Sequence, residues 1–217
     1  MKTILSTKKL TEKLKVKLEN KGFLVVEKKF IKTKTIKFSI ENLNENLIFT
    51  SKNAVKSILT LKKEISNKKV FCVGSKTKKL LEKNGFEVIA SAENAKDLAE
   101  KISQDFSSLH FTFFCGTIRK ATLPQILKKN NIELNEIVVY KTVLKPHKIE
   151  TKIDGILFFS PSAIESFLQE NELNETICFC IGNTTAESLK NKTDKIIVSK
   201  KATIEALIKK CIKYYKE

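Results

Sequence analysis

The sequence repeats itself once, at a distance of about 108 residues, and that repeat limits the possible folds more than any other feature. Ile48-Phe49-Thr50-Ser51-Lys52-Asn53-Ala54-Val55 resembles Phe158-Phe159-Ser160-Pro161-Ser162-Ala163-Ile164. Phe71-Cys72-Val73-Gly74-Ser75-Lys76-Thr77 resembles Phe179-Cys180-Ile181-Gly182-Asn183-Thr184-Thr185. The segments that open each copy also correspond. Thr3-Ile4-Leu5-Ser6-Thr7 matches Phe113-Phe114-Cys115-Gly116-Thr117, and each precedes a helical stretch and a Val-Val strand (Val25-Val26, Val138-Val139). The matches share one order and nearly one spacing, and the period is far too long for a solenoid. The chain therefore reads as two copies of one α/β unit.

The hydrophobic period says what each copy contains. Short apolar runs predict strands at Lys2–Ser6, Phe23–Val26, Leu47–Thr50, Val70–Val73 and Phe86–Ala90. Leu10, Leu14 and Leu18 recur at helical spacing, and Gly22 stands where a helix needs a residue free to take positive φ. Further helices are predicted from about Asn53, up to about Gly85, and over Ala95–Phe106. Strands separated by helices of this length imply βαβ units and a mainly parallel sheet. Phe30–Phe38 and Val138–Lys148 break the alternation. They are extended, rich in Lys, Thr and β-branched residues, and mark the crossings between copies, pairing as a two-stranded connector. No Gly/Ser linker is present, so relative movement would need a short hinge.

Composition excludes several classes. The 217 residues carry 41 Lys and Arg against 24 Asp and Glu, so the net charge is 41 − 24 = +17. A hydrophobic share of 41% supports a core and rules out a fully disordered chain. No apolar run approaches the roughly 20 residues of a membrane-spanning helix. The start, Met1-Lys2-Thr3-Ile4-Leu5-Ser6-Thr7-Lys8-Lys9, does not have the pattern of a secretory leader. Five cysteines, none in a Cys-x-x-Cys pair, fit a reduced, cytoplasmic, soluble protein. The positive charge is nearly all lysine, because Arg119 is the only arginine. Proteins that read nucleic acid favour the bidentate guanidinium, so nucleic acid is the less favoured partner. The charge reads as compositional drift in preference to a selected nucleic-acid surface, and an anionic small molecule suits either.

Parallel α/β sheets take ligands beyond the carboxyl ends of their strands. The loops predicted there carry Ser6/Thr7, Thr50/Ser51, Ser75/Thr77, Gly116/Thr117, Ser160/Ser162 and Thr184/Thr185. Each loop alone is an ordinary helix cap. Arranged around a cleft between two similar domains, they would form a multidentate site for carboxylate or phosphate. No Gly-x-Gly-x-x-Gly or Walker loop is present. His110 and His147 stand alone, and Cys72, Cys115, Cys178 and Cys180 lie in apolar strands as small buried hydrophobes, so no metal site is expected. Tyr140 ends the run Ile137-Val138-Val139-Tyr140. Its phenol is either an interface hydroxyl in water or a donor of a proton or hydrogen bond.

Taken in order, Thr50-Ser51-Lys52-Asn53-Ala54-Val55, Val73-Gly74-x-x-Thr77, Gly116 with Arg119 and Leu123-Pro124, Val139-Tyr140-x-Thr142, Phe159-Ser160-Pro161-Ser162-Ala163 and Ile181-Gly182-x-Thr184-Thr185 resemble the uroporphyrinogen-III synthase family. The resemblance runs from first strand to last helix. It implies two similar parallel-sheet α/β domains, interleaved in sequence and joined by a two-stranded connector, with a cleft between them. One domain would combine 1–34 with 145–217, the other would span 38–142, and 35–37 and 143–144 would be the connectors. The implied enzyme, a monomeric, cytoplasmic hydro-lyase of haem biosynthesis, cyclises hydroxymethylbilane with inversion of ring D and needs no cofactor or metal. Tyr140 is then the catalytic candidate, assisting departure of the substrate hydroxyl. Thr7, Lys8, Thr50, Ser51, Asn53, Thr77, Gly116, Ser160, Ser162, Thr184 and Thr185 would bind the substrate. Lys8 stands where the family usually has Arg, which keeps the charge and loses the fork. A transient contact with hydroxymethylbilane synthase fits the same reading. The alternative is a two-domain binding module for an anion or nucleic acid, without catalysis.

Overall fold

The computed structural model describes residues 1–216. The chain opens with β1 (Lys2–Ser6), α1 (Glu12–Glu19) and β2 (Phe23–Glu27), then continues through β3 (Ile31–Thr35). Next come β4 (Asn46–Phe49), α2 (Lys52–Ile58), a 3-10 turn running into α3 (Lys62–Ile65), β5 (Lys69–Val73), α4 (Ser75–Lys83) and β6 (Val88–Ala92). After α5 (Ala95–Asp105), β7 (Phe111–Gly116) and α6 (Thr122–Lys129), the long β8 (Leu134–Leu144) leads back. The last stretch holds β9 (Gly155–Phe158), α7 (Pro161–Phe167), β10 (Ile177–Cys180), α8 (Asn183–Glu187), β11 (Ile196–Val198) and α9 (Ile204–Lys216). The chain falls into two compact units, Met1–Lys32 with Val143–Glu217 and Thr33–Thr142. Both crossings between them fall within strands, β3 and β8, which neighbour each other at a sheet edge.

The first unit has one sheet in the order β11-β10-β9-β1-β2, all pairs parallel. The second repeats this order as β6-β5-β4-β7-β8 and adds β3 at the edge. The central strands β4 and β9 are buried at every position, as parallel strands covered on both faces must be. In the first unit α1 and α9 pack with Ile4, Leu157 and Phe179 on one face. On the other face α7 and α8 pack with Leu5, Ile156 and Phe158. In the second unit α2 and α4 cover the Leu47, Phe49 and Cys72 face, while α5 and α6 cover Ile48, Phe71 and Phe113.

Helix ends follow their residues. Gly85 takes φ +78° after α4, and Phe86 N–H reaches back to the Leu81 carbonyl, which closes the helix. Because Phe86 belongs to this closure, the strand predicted to start there begins two residues later, at Val88.

One residue-level correspondence in the sequence needs correcting. Ser51 and Ser160 cap equivalent helices, which makes Asn46 the equivalent of Gly155. Ile4 pairs with Gly155 and Phe111 pairs with Asn46, so Ile4 corresponds to Phe111 and not to Phe114. Side chains alternate faces along a strand, so the odd shift puts every side chain of that alignment on the wrong face. The first strands match as elements, and β7 runs further past its neighbour than β1 does.

Candidate active site

In each unit two adjacent strands send the chain to opposite faces of the sheet, and that divergence opens a crevice at their carboxyl ends. In the first unit the pair is β9, which continues into α7, and β1, which continues into α1. In the second it is β4, continuing into α2, and β7, continuing into α6. The residues singled out from sequence collect at these ends. Thr7, Lys8, Ser160 and Ser162 lie at the first crevice, with Thr184 and Thr185 one strand further along. Thr50, Ser51, Asn53 and Gly116 lie at the second, with Thr77 one strand further.

Their side chains do different things. Ser51 Oγ accepts from Asn53 N–H at 3.1 Å and Ser160 Oγ from Ala163 N–H at 3.3 Å, so both are helix caps. Capping uses the oxygen as acceptor and leaves the hydroxyl hydrogen to donate elsewhere. Thr7 is buried, and its hydroxyl donates to the Leu157 carbonyl at 2.8 Å, which ties β1 to β9 beyond the last paired residue. It shapes the crevice floor. Lys8 is exposed and holds its ammonium over the Phe159 ring, 5.4 Å from the centroid. Thr77, Ser162 and Thr185 are buried, Thr50 and Asn53 half-buried and Thr184 exposed.

The tightest arrangement joins Gly116 and Tyr140. A bulge between Cys115 and Gly116 sets Gly116 opposite Tyr140, and Thr117 N–H donates to the Tyr140 carbonyl at 3.1 Å. The phenol ring lies directly on the Gly116 α-carbon, where an added β-carbon would stand 2.4 Å from Tyr140 Cζ. The remainder of the ring packs on the β4, α2 and β8 core. Its hydroxyl has no hydrogen-bond partner among the described residues.

Other groups are committed to structure. Arg119, in the turn after β7, pairs with Glu136 on β8, with Nη2 2.8 Å from Oε1, so the single guanidinium is already neutralised. His110 bonds Glu133 at 2.6 Å, and His147 stacks edge-on to Phe30. Burial raises the thiols of Cys72 and Cys115 to about 11 and those of Cys178, Cys180 and Cys211 to about 12. No group of His, Cys, Asp or Glu able to hold a metal occurs among the described residues. A cavity of about 1250 Å³ opens at the amino ends of β1, β9 and β10, away from the hydroxyl loops. Some of its polar groups bond one another. Asp154 accepts from Lys2 and from Thr3 N–H at 2.8 Å each, and Tyr215 donates to the Asp154 carbonyl at 2.7 Å.

Sequence reasoning missed Phe159 as the seat of Lys8 and the Tyr140–Gly116 contact. Neither has a sequence signal beyond the aromatic residue itself, because both depend on strand register.

Comparison with known proteins names a family. A family model described as uroporphyrinogen-III synthase HemD matches residues 12–209. The uroporphyrinogen-III synthase of Saccharomyces cerevisiae is 30% identical over 114 residues, which are 48% of this chain and 39% of the yeast protein. That match thus spans well under half of the relative. Among solved structures, uroporphyrinogen-III synthetase from Helicobacter pylori 26695 superposes with a TM-score of 0.78 at 23% identity, covering 99% of this chain and all of that one. A mutant uroporphyrinogen III synthase from Thermus thermophilus gives 0.62 at 13% identity, over 100% of this chain and 98% of that one. At these identities the structures speak for the fold. No described helix is long and apolar enough to cross a membrane.

Proposed function

The chain belongs to the uroporphyrinogen-III synthase family, and from that premise we propose that it closes hydroxymethylbilane to uroporphyrinogen III with inversion of ring D. The substrate is a linear tetrapyrrole with an acetate and a propionate on each ring. Loss of its terminal hydroxyl leaves an azafulvene cation, and attack by the substituted carbon of ring D gives a spiro intermediate that reopens and recloses inverted. Closure without an enzyme gives the uninverted isomer I, so catalysis consists mainly in holding a flexible polyanion in one conformation. Orientation of this kind supplies several kcal/mol of barrier reduction.

The observation that carries the reading is the convergence of hydroxyl-bearing loops at the carboxyl end of each sheet, with a phenol at one of them that has no hydrogen-bond partner among the described residues. Ser51, Ser160 and the loops around Thr50, Asn53, Ser162, Thr184 and Thr185 hold carboxylates. Thr77 sits in the first turn of α4 beside them, Thr7 supports the floor, and Lys8 adds charge. Tyr140 donates to the departing hydroxyl, and Gly116 leaves the room its ring needs. The spontaneous competing closure also favours cytoplasmic hand-over by a transient contact with the upstream synthase. Freshly generated hydroxymethylbilane given to the purified protein is expected to yield mainly isomer III. An isomer ratio equal to the enzyme-free control would overturn the proposal.

A further inference from the structure

Acidic residues are distributed unevenly between the two ends of the first unit's sheet. The segments leaving the carboxyl ends of its strands carry Lys8 and Lys9 after β1, Lys28 and Lys29 after β2, and Lys200 and Lys201 after β11, with no acid in any of them. Those entering the amino ends of β9 and β11 carry as many lysines but mix them with Glu150, Asp154 and Asp194, the one entering β10 carries Glu170, Glu172 and Glu175 without a lysine, and only the short turn before β2, with Lys21, has no acid. Near the carboxyl end acids return at the end of β2, with Glu27, and on the helices that follow, such as Glu12 and Glu205 in first turns. Lysine is thus about even at the two ends, and the polarity lies in the acids that the carboxyl-end segments exclude.

The chain brings part of this set together. Lys28 N–H donates to the Ser6 carbonyl at 3.0 Å and Phe30 N–H to the Thr7 carbonyl at 3.4 Å, so Lys28 and Lys29 run alongside the residues that precede Lys8 and Lys9. Lys9, Glu27, Lys28 and Lys29 line a recess of about 260 Å³. The one carboxylate there, Glu27, accepts from Leu10 N–H at 2.5 Å, which turns it toward the backbone. Three ammonium groups thus share one committed acid.

We infer that Lys9, Lys28 and Lys29 form a carboxylate-binding rim beside the Thr7–Ser160 crevice that draws in the outlying acid groups of a polycarboxylate ligand. The inference rests on the proposed function for the identity of that ligand, and it assigns residues outside the hydroxyl loops. Lysine point charges suit this task, because mobile acetate and propionate arms need attraction without a fixed fork. A field focused at one end of a sheet acts mostly on capture, and salt screens it.

The test compares two triple variants of equal charge change. Lys9→Gln/Lys28→Gln/Lys29→Gln removes the rim, whereas Lys21→Gln/Lys190→Gln/Lys192→Gln removes three exposed lysines near the amino ends of β2 and β11. Each is titrated with an octacarboxylate porphyrin at low and at physiological salt. The rim variant is expected to bind about 10-fold more weakly at low salt, with the deficit shrinking as salt rises. The control is expected to match the parent. Equal weakening in both variants, no weakening in the rim variant, or a parent that does not bind the porphyrin would overturn the inference. The isomer assay on the parent reads the reaction separately. A parent that binds through the rim yet makes only isomer I leaves this site standing and removes the proposed reaction.

Discussion

At Gly116 the absence of a methyl group decides where Tyr140 can sit. Replacing Gly116 with Ala would drive a β-carbon into the phenol ring, so the ring must swing out or the strands must part. Gly116→Ala is expected to cost about 1–3 kcal/mol of stability as an overpacking change, readable in denaturant melts. It should also lower kcat as far as Tyr140→Phe does. For Tyr140→Phe we expect a kcat loss of about 100-fold, the usual scale for a lost proton donor, with the melting temperature unchanged. Because both substitutions act through one phenol, the double variant should be no slower than the worse single. A Tyr140→Phe protein of near-parental rate would make the tyrosine scaffold. The cysteines are opposite in character. With thiols raised to about 11 or 12 by burial, none should react with iodoacetamide at about pH 8 until the protein unfolds. Rapid labelling of the native protein would contradict that burial.

Individual strands show how far sequence pattern reaches. Period and punctuation locate β1, β5 and α5 to within a residue or so, because buried parallel strands are short apolar runs and helix ends carry their caps. Register is a different matter. The relation of Ile4 to Phe111, the bulge at Gly116 and the β8 extension to Leu144 come from hydrogen bonding between distant segments. Local composition does not encode it. The same limit hid the seat of Lys8 on Phe159, although Ser51 and Ser160 were legible as caps and are caps. At the opposite end of the first sheet, Asp154 fastens β1 to the entry of β9. The Lys2 ammonium first, and Thr3 N–H second, hold its carboxyl below the ordinary carboxylate range. A lowered folded-state value means stability that is present above the unfolded value of about 3.9 and is lost as pH falls through the lower folded value. Asp154→Ala should therefore be less stable than the parent at neutral pH, and the gap should close below about pH 4. A gap that persists or widens in acid would mean that the carboxylate is not the source.

For the whole chain, one duplication accounts for both sheets, since β11-β10-β9-β1-β2 and β6-β5-β4-β7-β8 are the same order. The repeat was readable because the loops at the carboxyl ends kept their small hydroxyl residues in both copies. The copies differ where β2 and β8 end. Tyr140 lies over Gly116 in one, whereas Glu27 sits opposite Ser6 and caps Leu10 N–H in the other. Net charge alone could not be interpreted from sequence, because +17 says nothing about position. The fold supplies position and shows the segments that leave the carboxyl ends of β1, β2 and β11 to hold lysines and no acid. If the fold is read correctly, ligand binds at the carboxyl ends of the sheets and not in the cavity of about 1250 Å³ at the amino end. Amide hydrogen exchange with and without an octacarboxylate porphyrin tests it most directly. Slowed exchange is expected at residues 50–54, 116–119, 160–163 and 182–186. Slowing confined to residues 148–154 and 168–176, which border the cavity, would contradict it.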